Sequence, residues 1–398
     1  MHRPALLGYR AYLTLIPLAV VLPGSKWMEF FYALTVLPIL TWIMVQEGWF
    51  RTLTASRLFR LISLYTVLAL ASIAWSHVPT ASDEHIVFKL ISNTVLILHF
   101  TIATAYFRQR FTPDFPSLAT SLVIAASLAA AIDMGVWYHD HPFPLSRLEG
   151  IGQIDSPIRS TAIIAAAQIM AFHLFLTTGQ NRYLALQIPL LLYLALSQSR
   201  SILIACLVCL PVTAILAGVD PKSLVLRLAA ILGILLVSLC ILYLAEPAWA
   251  SEIFRSVPYR PYIWQASFLQ ALQHPFLGSG LLSDPGGNVT IDGHPFHYGD
   301  AHNLLLGHFR ALGIAGVLAI VAVIGTALGY SYRGWRKMQL DGLAVPLLAF
   351  AFLAMQANEW ELFYPGFKVK EVLTVFWFPL GIALGDELIL RQSPPSAK

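Results

Sequence analysis

Two arginines occupy positions where the sequence predicts the start of a helix. Arg200 lies in the polar run Ser-Gln-Ser-Arg-Ser between two apolar stretches, and Arg260 precedes Pro261, a residue type favoured in the first helical turn. The segment after Arg260 places Trp264 and Phe268 on one face, which predicts a short helix lying on a membrane surface. A guanidinium at a helix N-terminus adds to the positive end of the helix dipole, so both positions favour an anion, with lipid headgroups as the structural alternative for Arg200.

A histidine is placed in a similar way. His302 occurs in Gly-Asp-Ala-His-Asn, just before a long apolar run. Asp300 is a candidate N-cap, which would put His302 in the first turn of the following helix. The positive helix end would then keep the imidazole neutral, the state that a general base needs. We therefore expect His302 to act as a general base, with an ordinary structural histidine as the alternative.

The elements that carry these residues are predicted to be membrane-spanning helices. Of the 398 residues, 57% are hydrophobic and 12% are charged, which is more apolar side chain than a soluble core can hide. The sequence predicts an all-α polytopic membrane protein that forms a single domain over residues 1–398, with a large loop at 246–302. About twelve spans of membrane length are expected, near 8–24, 27–46, 57–75, 85–107, 116–137, 160–178, 182–198, 200–217, 224–245, 303–331, 342–360 and 367–387.

The distribution of positive charge predicts the orientation. The connectors on one side hold most of the basic residues, as cytoplasmic loops do, and an even number of spans puts both termini on that side. These residues are Arg51, Arg57, Arg60, Arg108, Arg110, Arg182, Lys222, Arg227, Arg333, Arg336 and Lys337. The net charge of +4 is scattered along the chain rather than gathered on one face, so nucleic acid is not an expected partner.

Several positive residues fall on the opposite, predicted outer side. They are Arg147, Arg159, Arg200, Arg255, Arg260, Lys368 and Lys370. Because they oppose the insertion bias, they need a counter-charge, and an anionic substrate is one candidate. The alternative is that they are solvated or paired within the protein. Glu359 and Glu361 are candidate partners of Lys368 or Lys370, or residues that help hold a polar acceptor. Arg147, Arg159 and Lys370 are therefore further candidates for substrate binding.

The sequence favours neither a metal site nor a cofactor. His294, His297 and His302 lack the spacing of metal ligands, and the His139-Asp140-His141 run is equally weak. Cys206 and Cys209 fall inside a predicted span, where they are expected to be packing residues.

The chain resembles the bacterial O-antigen ligase and polymerase superfamily, and within it most of all the lipopolysaccharide O-antigen ligases. The resemblance covers nearly the whole chain, through span count, the position of the large loop and four motifs. The motifs are Ser199-Arg200-Ser201 at a span start, Arg260 with Trp264, His274-Pro275-Phe276-Leu277-Gly278-Ser279-Gly280, and His302-Asn303 followed by Leu304, Leu305, Gly313 and Gly316. Asn303 stands where the family often has Ser or Thr.

The resemblance implies metal-independent, inverting transfer of O-antigen from an undecaprenyl-pyrophosphate carrier to lipid A-core oligosaccharide, at the periplasmic face of the bacterial inner membrane. Arg200 and Arg260 match the family's functional arginines, and His302 matches its essential histidine. An O-antigen polymerase or a protein O-glycosyltransferase is an alternative within the superfamily. From another class, a flippase of lipid-linked glycans would distribute polar residues through the midplane, whereas here they gather at one face.

Overall fold

The computed structural model describes residues 2–24, 26–77, 83–112, 115–144, 146–220, 222, 259–284, 286–291, 293–357, 362 and 369–392. The predicted span at 224–245 lies outside the described residues, as does most of the loop before Tyr259. Arg227, Arg255, Glu359, Glu361 and Lys368 are likewise outside them.

Helices make up most of the described chain. They are α1 (His2–Leu18), α2 (Lys26–Gln46), α3 (Trp49–Ala55), α4 (Arg57–Trp75), α5 (Asp83–Arg110), α6 (Phe115–Asp140), α7 (Pro157–Thr178), α8 (Arg182–Leu196), α9 (Arg200–Leu216), α10 (Arg260–Ala271), α11 (Leu304–Met338), α12 (Ala344–Met355) and α13 (Lys370–Gln392). One antiparallel hairpin, β1 (Gly287–Ile291) with β2 (His294–Tyr298), lies between α10 and α11 and pairs Val289 with Phe296.

The helices confirm an all-α polytopic membrane protein. Among the described residues, seven helices are long and apolar enough to cross a membrane, and α8, α9 and α12 are shorter apolar helices. Each predicted span within the described ranges coincides with a helix; the largest differences in end position are at α11, which ends at Met338, and α1, which ends at Leu18. Hydropathy therefore located the elements well, because lipid-level helices need long apolar stretches.

The C-terminal helix α13 forms the centre of the bundle. It is almost entirely buried, and two glycines let it approach α5 closely. A Cβ atom on Gly381 would lie 2.5 Å from the Cβ of Thr104, and one on Gly385 would lie 2.5 Å from the Cβ of Arg108. Such small residues allow helix backbones to pack tightly where no hydrophobic effect drives association.

Contacts between connectors sort the helix ends into two faces. At one face, Leu148 N–H donates to Leu196 O (3.0 Å), Gly152 N–H to Val20 O (2.7 Å) and Leu281 N–H to Ser72 Oγ (3.0 Å). At the other, Arg108 Nη1 lies 2.7 Å from Asp341 Oδ2, Trp335 Nε1–H donates to Leu216 O (2.7 Å) and Arg57 N–H donates to Glu387 Oε1 (2.8 Å). The first face carries Arg147, Arg200, Arg260 and His302; we call it the arginine face, and the second the opposite face.

Candidate active site

Three arginines converge at the arginine face, and we call Arg147, Arg200 and Arg260 the arginine cluster. Burial lowers the pKa of Arg260, and the charges of Arg200 and Arg147 lower it further. Burial also lowers the pKa of Arg147, while Glu149 opposes that shift and the charge of Arg200 adds to it. Arg147 and Arg260 are therefore both affected by the positive charge of neighbouring guanidiniums, which an anion bound among them would relieve.

The turn between α8 and α9 positions two members of the cluster. Gln198 has a left-handed backbone (φ 52°), which lets the chain reverse within a few residues, and Ser199 is the N-cap of α9, so Arg200 is its first residue. Arg147 Nε donates to the carbonyl of Ser197 (3.0 Å), and its Nη2 lies 3.4 Å from Ser199 Oγ. The prediction that Arg200 begins a helix is confirmed, and Arg147 is attached to the same turn.

A buried acid in α6 holds the loop that carries Arg147. Asp133 Oδ1 accepts the N–H of Ile151 (2.9 Å), and its Oδ2 accepts the hydroxyl of Tyr193 in α8 (2.7 Å). Asp133 is fully buried. Sequence reasoning missed it, although a single acid within an apolar span is itself a signal that the residue has a specific partner.

The third arginine begins α10, as its position before Pro261 predicts. Phe268 of α10 packs against Phe309 of α11 with ring centroids 6.0 Å apart. On the other side of Arg260, the ring of Tyr259 stacks on Phe296 of the hairpin at 5.3 Å. Helix α10 is thus held between α11 and the hairpin.

A break in α11 explains the His274–Gly280 motif, which we call the clasp. Gly313 has non-helical angles (φ 64°, ψ −164°), so helical hydrogen bonds are lost on both sides of it. The clasp replaces them with four backbone hydrogen bonds: Ile314 N–H to Pro275 O (2.8 Å), Ala315 N–H to Phe276 O (3.3 Å), Ser279 N–H to Arg310 O (2.9 Å) and Gly280 N–H to Ala311 O (2.9 Å). Backbone groups near lipid must be satisfied within the protein, and the clasp does this.

The glycines of the clasp allow this close approach. A Cβ atom on Gly278 (φ 71°) would lie 2.3 Å from the carbonyl carbon of Ala311, and one on Gly313 would lie 2.3 Å from the carbonyl carbon of Phe276. Two backbones can meet at this distance only where side chains are absent. The clasp therefore fixes α10 against α11.

This packing places Arg260 and His302 at the same end of two neighbouring helices. Both α10 and the first part of α11 run towards the clasp, which joins them near Gly313. Phe268 of α10 packs on Phe309 of α11. Arg260 is eight residues before Phe268, and His302 is seven residues before Phe309. At 1.5 Å per residue, each therefore lies roughly 10–12 Å from that contact, in the same direction. The site roles of Arg200, Arg260 and His302 stay predictions, but all three share one face.

The predicted cap before α11 is wrong. Asn303 is the N-cap, because its side-chain oxygen accepts the N–H of Leu306 (3.0 Å) and its amide donates to Gln356 O (2.9 Å). An N-cap oxygen must reach an N–H in the first turn of the helix, whereas Asp300 reaches only the N–H of His302, which precedes Leu304, the first helical residue. His302 consequently precedes the helix instead of lying in its first turn, and its backbone is left-handed (φ 47°).

The group that acts on His302 is then a carboxylate instead of a helix end. Asp300 Oδ1 lies 2.6 Å from His302 Nδ1, and the histidine side chain is 41% exposed. The expectation that the helix end keeps the ring neutral does not apply to this geometry. A carboxylate at this distance stabilises the charged ring that forms when the histidine accepts a proton.

Two further candidates, Arg159 and Lys370, are engaged in ion pairs. Arg159 Nε lies 3.6 Å from Glu371 Oε1, and Lys370 Nζ lies 3.4 Å from Glu29 Oε1. Lys370 is only 1% exposed. Their role in substrate binding stays a prediction, and these contacts favour the alternative of internal pairing. The sequence did not single out Glu29 and Glu371, because both pairings depend on how the helices pack.

The described residues contain no group of three His, Cys, Asp or Glu side chains arranged to hold a metal ion. His297 Nδ1 pairs with Asn288 Oδ1 across the hairpin (3.1 Å), and Cys206 and Cys209 are buried and not joined in a disulfide. The expectation that the reaction needs no metal or cofactor stays a prediction.

Comparison with known proteins agrees with the motifs. Residues 184–321, which include Arg200, Arg260, the clasp and His302, match the family model described as O-antigen ligase. An O-antigen ligase of Pseudomonas aeruginosa is 27% identical over 364 residues, which span 90% of this chain and 84% of the relative. The predicted resemblance is confirmed: the chain is similar to the O-antigen ligase superfamily through both the family model and this relative.

Proposed function

We propose that the protein is an O-antigen ligase, which transfers O-antigen polysaccharide from undecaprenyl pyrophosphate to a sugar hydroxyl of lipid A-core oligosaccharide. Similarity to the O-antigen ligase family supports an enzyme of the glycosyl-transfer type. The observation that carries the proposal is the arginine cluster, at the same face as His302 and its carboxylate partner. Such a group of charges suits a diphosphate donor beside a general base.

The arginine cluster holds the donor and stabilises the leaving group. A lipid-linked pyrophosphate is already activated, so no nucleotide is needed. As the bond between the anomeric carbon and the phosphate oxygen breaks, its electron pair passes to the pyrophosphate. Arg200 lies at the N-terminus of α9, where the helix dipole and the guanidinium act on the growing negative charge together.

His302 acts on the acceptor. Its Nε2 takes the proton of the acceptor hydroxyl as the acceptor oxygen attacks the anomeric carbon from the side opposite the pyrophosphate. Attack from that side inverts the configuration of the sugar. Because the arginine cluster neutralises the leaving group, neither a metal nor another cofactor is required in this mechanism.

The arginine face is periplasmic in this proposal, and the protein lies in the bacterial inner membrane. Support comes from the opposite face, where most of the basic connector residues gather, as cytoplasmic loops require. Helix α1 begins and α13 ends at that opposite face, which supports a cytoplasmic location for both termini.

Reconstitution tests the proposal directly. Purified protein in liposomes receives lipid-linked O-antigen and lipid A-core, with EDTA present and nucleotide absent. We expect ligated product from the wild type and at least 100-fold less from His302→Ala. Chelator-sensitive transfer would refute the metal-free mechanism, and movement of the donor across the bilayer without product would identify a flippase.

A polymerase is the second candidate, and the similarity to an O-antigen ligase favours the ligase over it. A deletion strain separates the two. Loss of a ligase leaves bare core lipopolysaccharide, whereas loss of a polymerase leaves core capped with a single repeat. Single-repeat caps would therefore overturn the ligase assignment.

A further inference from the structure

Asp300 makes two contacts with one residue, His302. Its Oδ1 accepts the backbone N–H of His302 (2.8 Å) and lies 2.6 Å from the ring Nδ1. Capping of α11 is already done by Asn303. The carboxylate of Asp300 is therefore not needed to begin the helix, and both of its contacts within the described part of the chain are with the histidine.

The backbone at His302 is unusual, and Asp300 stabilises it. A left-handed conformation costs free energy in any residue other than glycine, and such residues cluster at functional sites. Because Nδ1 donates to the carboxylate, the lone pair of the neutral ring is on Nε2. The side chains of His302 and Asp300 are 41% and 29% exposed, so a substrate can reach this nitrogen.

We propose that Asp300 is a positioning residue for glycosyl transfer: it fixes the tautomer and orientation of His302 and stabilises the imidazolium formed during the reaction. This inference rests on the proposed function. The acceptor proton moves to Nε2, the acceptor oxygen bonds to the anomeric carbon, and the bond to the phosphate oxygen breaks with its electron pair on the pyrophosphate. Asp300 keeps its negative charge throughout, and the imidazolium then gives its proton to water.

The chain offers a matched control for a purely structural role. Asp284 also accepts a backbone N–H two residues on, from Gly286 (2.9 Å), in the same region of the chain. The described contacts of Asp284 include no histidine. A substitution by asparagine keeps an oxygen that can accept the backbone N–H at either site, but it removes the negative charge. If Asp300 only stabilises a turn, both substitutions will change kcat equally little.

The test compares wild type, Asp300→Asn, Asp284→Asn and His302→Ala in the reconstituted assay, with the folded fraction of each counted by titration with the donor. We expect Asp300→Asn to lower kcat about 10²- to 10⁴-fold and to leave the donor KM within about threefold, because the arginine cluster is untouched. Asp284→Asn should keep the wild-type kcat.

Two results separate failure of this inference from failure of the proposed function. A wild-type kcat for Asp300→Asn, with His302→Ala inactive, would overturn the role of Asp300 and leave the ligase intact. No transfer by wild-type protein would overturn the proposed function itself, and the inference with it.

Discussion

Arg108 and the arginine cluster, at opposite faces of the same bundle, show how differently a membrane protein uses arginine. Arg108 is 1% exposed, and its guanidinium contacts Asp341 (2.7 Å), Asp386 (2.8 Å) and the ring of Phe115 (5.0 Å). Burial acts to raise the pKa of Asp341, but the charge of Arg108 outweighs it and holds that pKa below its usual range. One guanidinium is here enclosed by two carboxylates, which closes the site to ligands.

In the arginine cluster the positive charges instead act on one another. The pKa values of Arg147 and Arg260 are both lowered, by burial and by neighbouring guanidiniums. Repulsion of this kind costs free energy in the folded protein, and a diphosphate relieves it. The comparison suggests that an arginine enclosed by carboxylates holds helices together, whereas arginines that repel one another suit an anionic substrate.

The largest expected effect is on stability, when Arg108 and its contacts with two carboxylates are lost. Arg108→Ala leaves the buried carboxylate of Asp386 and the partly buried one of Asp341 without their partner, and we expect a loss of about 3–5 kcal/mol in the free energy of unfolding. Thermal unfolding in detergent measures this as a lower Tm. Arg110→Ala is the control, because its pair with Glu47 is half exposed and contributes about 0–1 kcal/mol. Equal Tm values for the two variants would contradict a structural role for Arg108.

The next largest effect is on activity alone. Arg260→Ala removes a charge-assisted contact worth about 1.5–3 kcal/mol, so kcat/KM should fall roughly 10- to 150-fold while Tm is unchanged. Arg182→Ala, at the opposite face and over the ring of Tyr183 (4.9 Å), should keep full activity. If Arg260→Ala lowers Tm as much as Arg108→Ala does, Arg260 has a structural role like that of Arg108, which contradicts the comparison.

A smaller effect is expected at Arg147, which already donates to Ser197 and approaches Ser199. Arg147→Ala should raise the donor KM about tenfold with little change in kcat, because it weakens binding of the diphosphate more than chemistry. Inorganic pyrophosphate should inhibit the wild type competitively and this variant less. Equal inhibition of both proteins would show that Arg147 does not contribute to binding of the diphosphate.

The smallest effect concerns Asp133, whose contacts with Ile151 and Tyr193 hold the loop of Arg147. Asp133→Asn keeps one acceptor oxygen and weakens the contact with Ile151 or Tyr193. We therefore expect the free energy of unfolding to fall by about 1 kcal/mol and the donor KM to rise a few-fold. Kinetics and thermal unfolding of the variant measure both quantities. A large fall in kcat with an unchanged KM would show that Asp133 acts on chemistry instead.

The sequence predicted the parts of this comparison that depend on local pattern. Apolar stretches located the helices, and the run before α9 and the proline after Arg260 placed both arginines at helix starts. Contacts between distant segments could not be predicted in this way. The approach of Arg147 to the α8–α9 turn and the ion pair of Lys370 with Glu29 depend on helix packing, which periodicity does not encode.

The start of α11 shows a different limit. Asp300 and Asn303 are both good N-caps by residue type, and the choice between them depends on which oxygen reaches an unpaired N–H. Because Asp300 was assigned as the N-cap, its pair with His302 was not predicted. The break at Gly313 was hidden in the same way, because only the docked clasp makes a glycine necessary there.

Binding of undecaprenyl pyrophosphate to the purified protein tests the central claim most directly. Titration at low salt should show that Arg200→Ala raises the Kd at least about tenfold, whereas Arg182→Ala leaves it unchanged. Equal affinities of wild type and Arg200→Ala would contradict the claim that the arginine cluster holds the diphosphate.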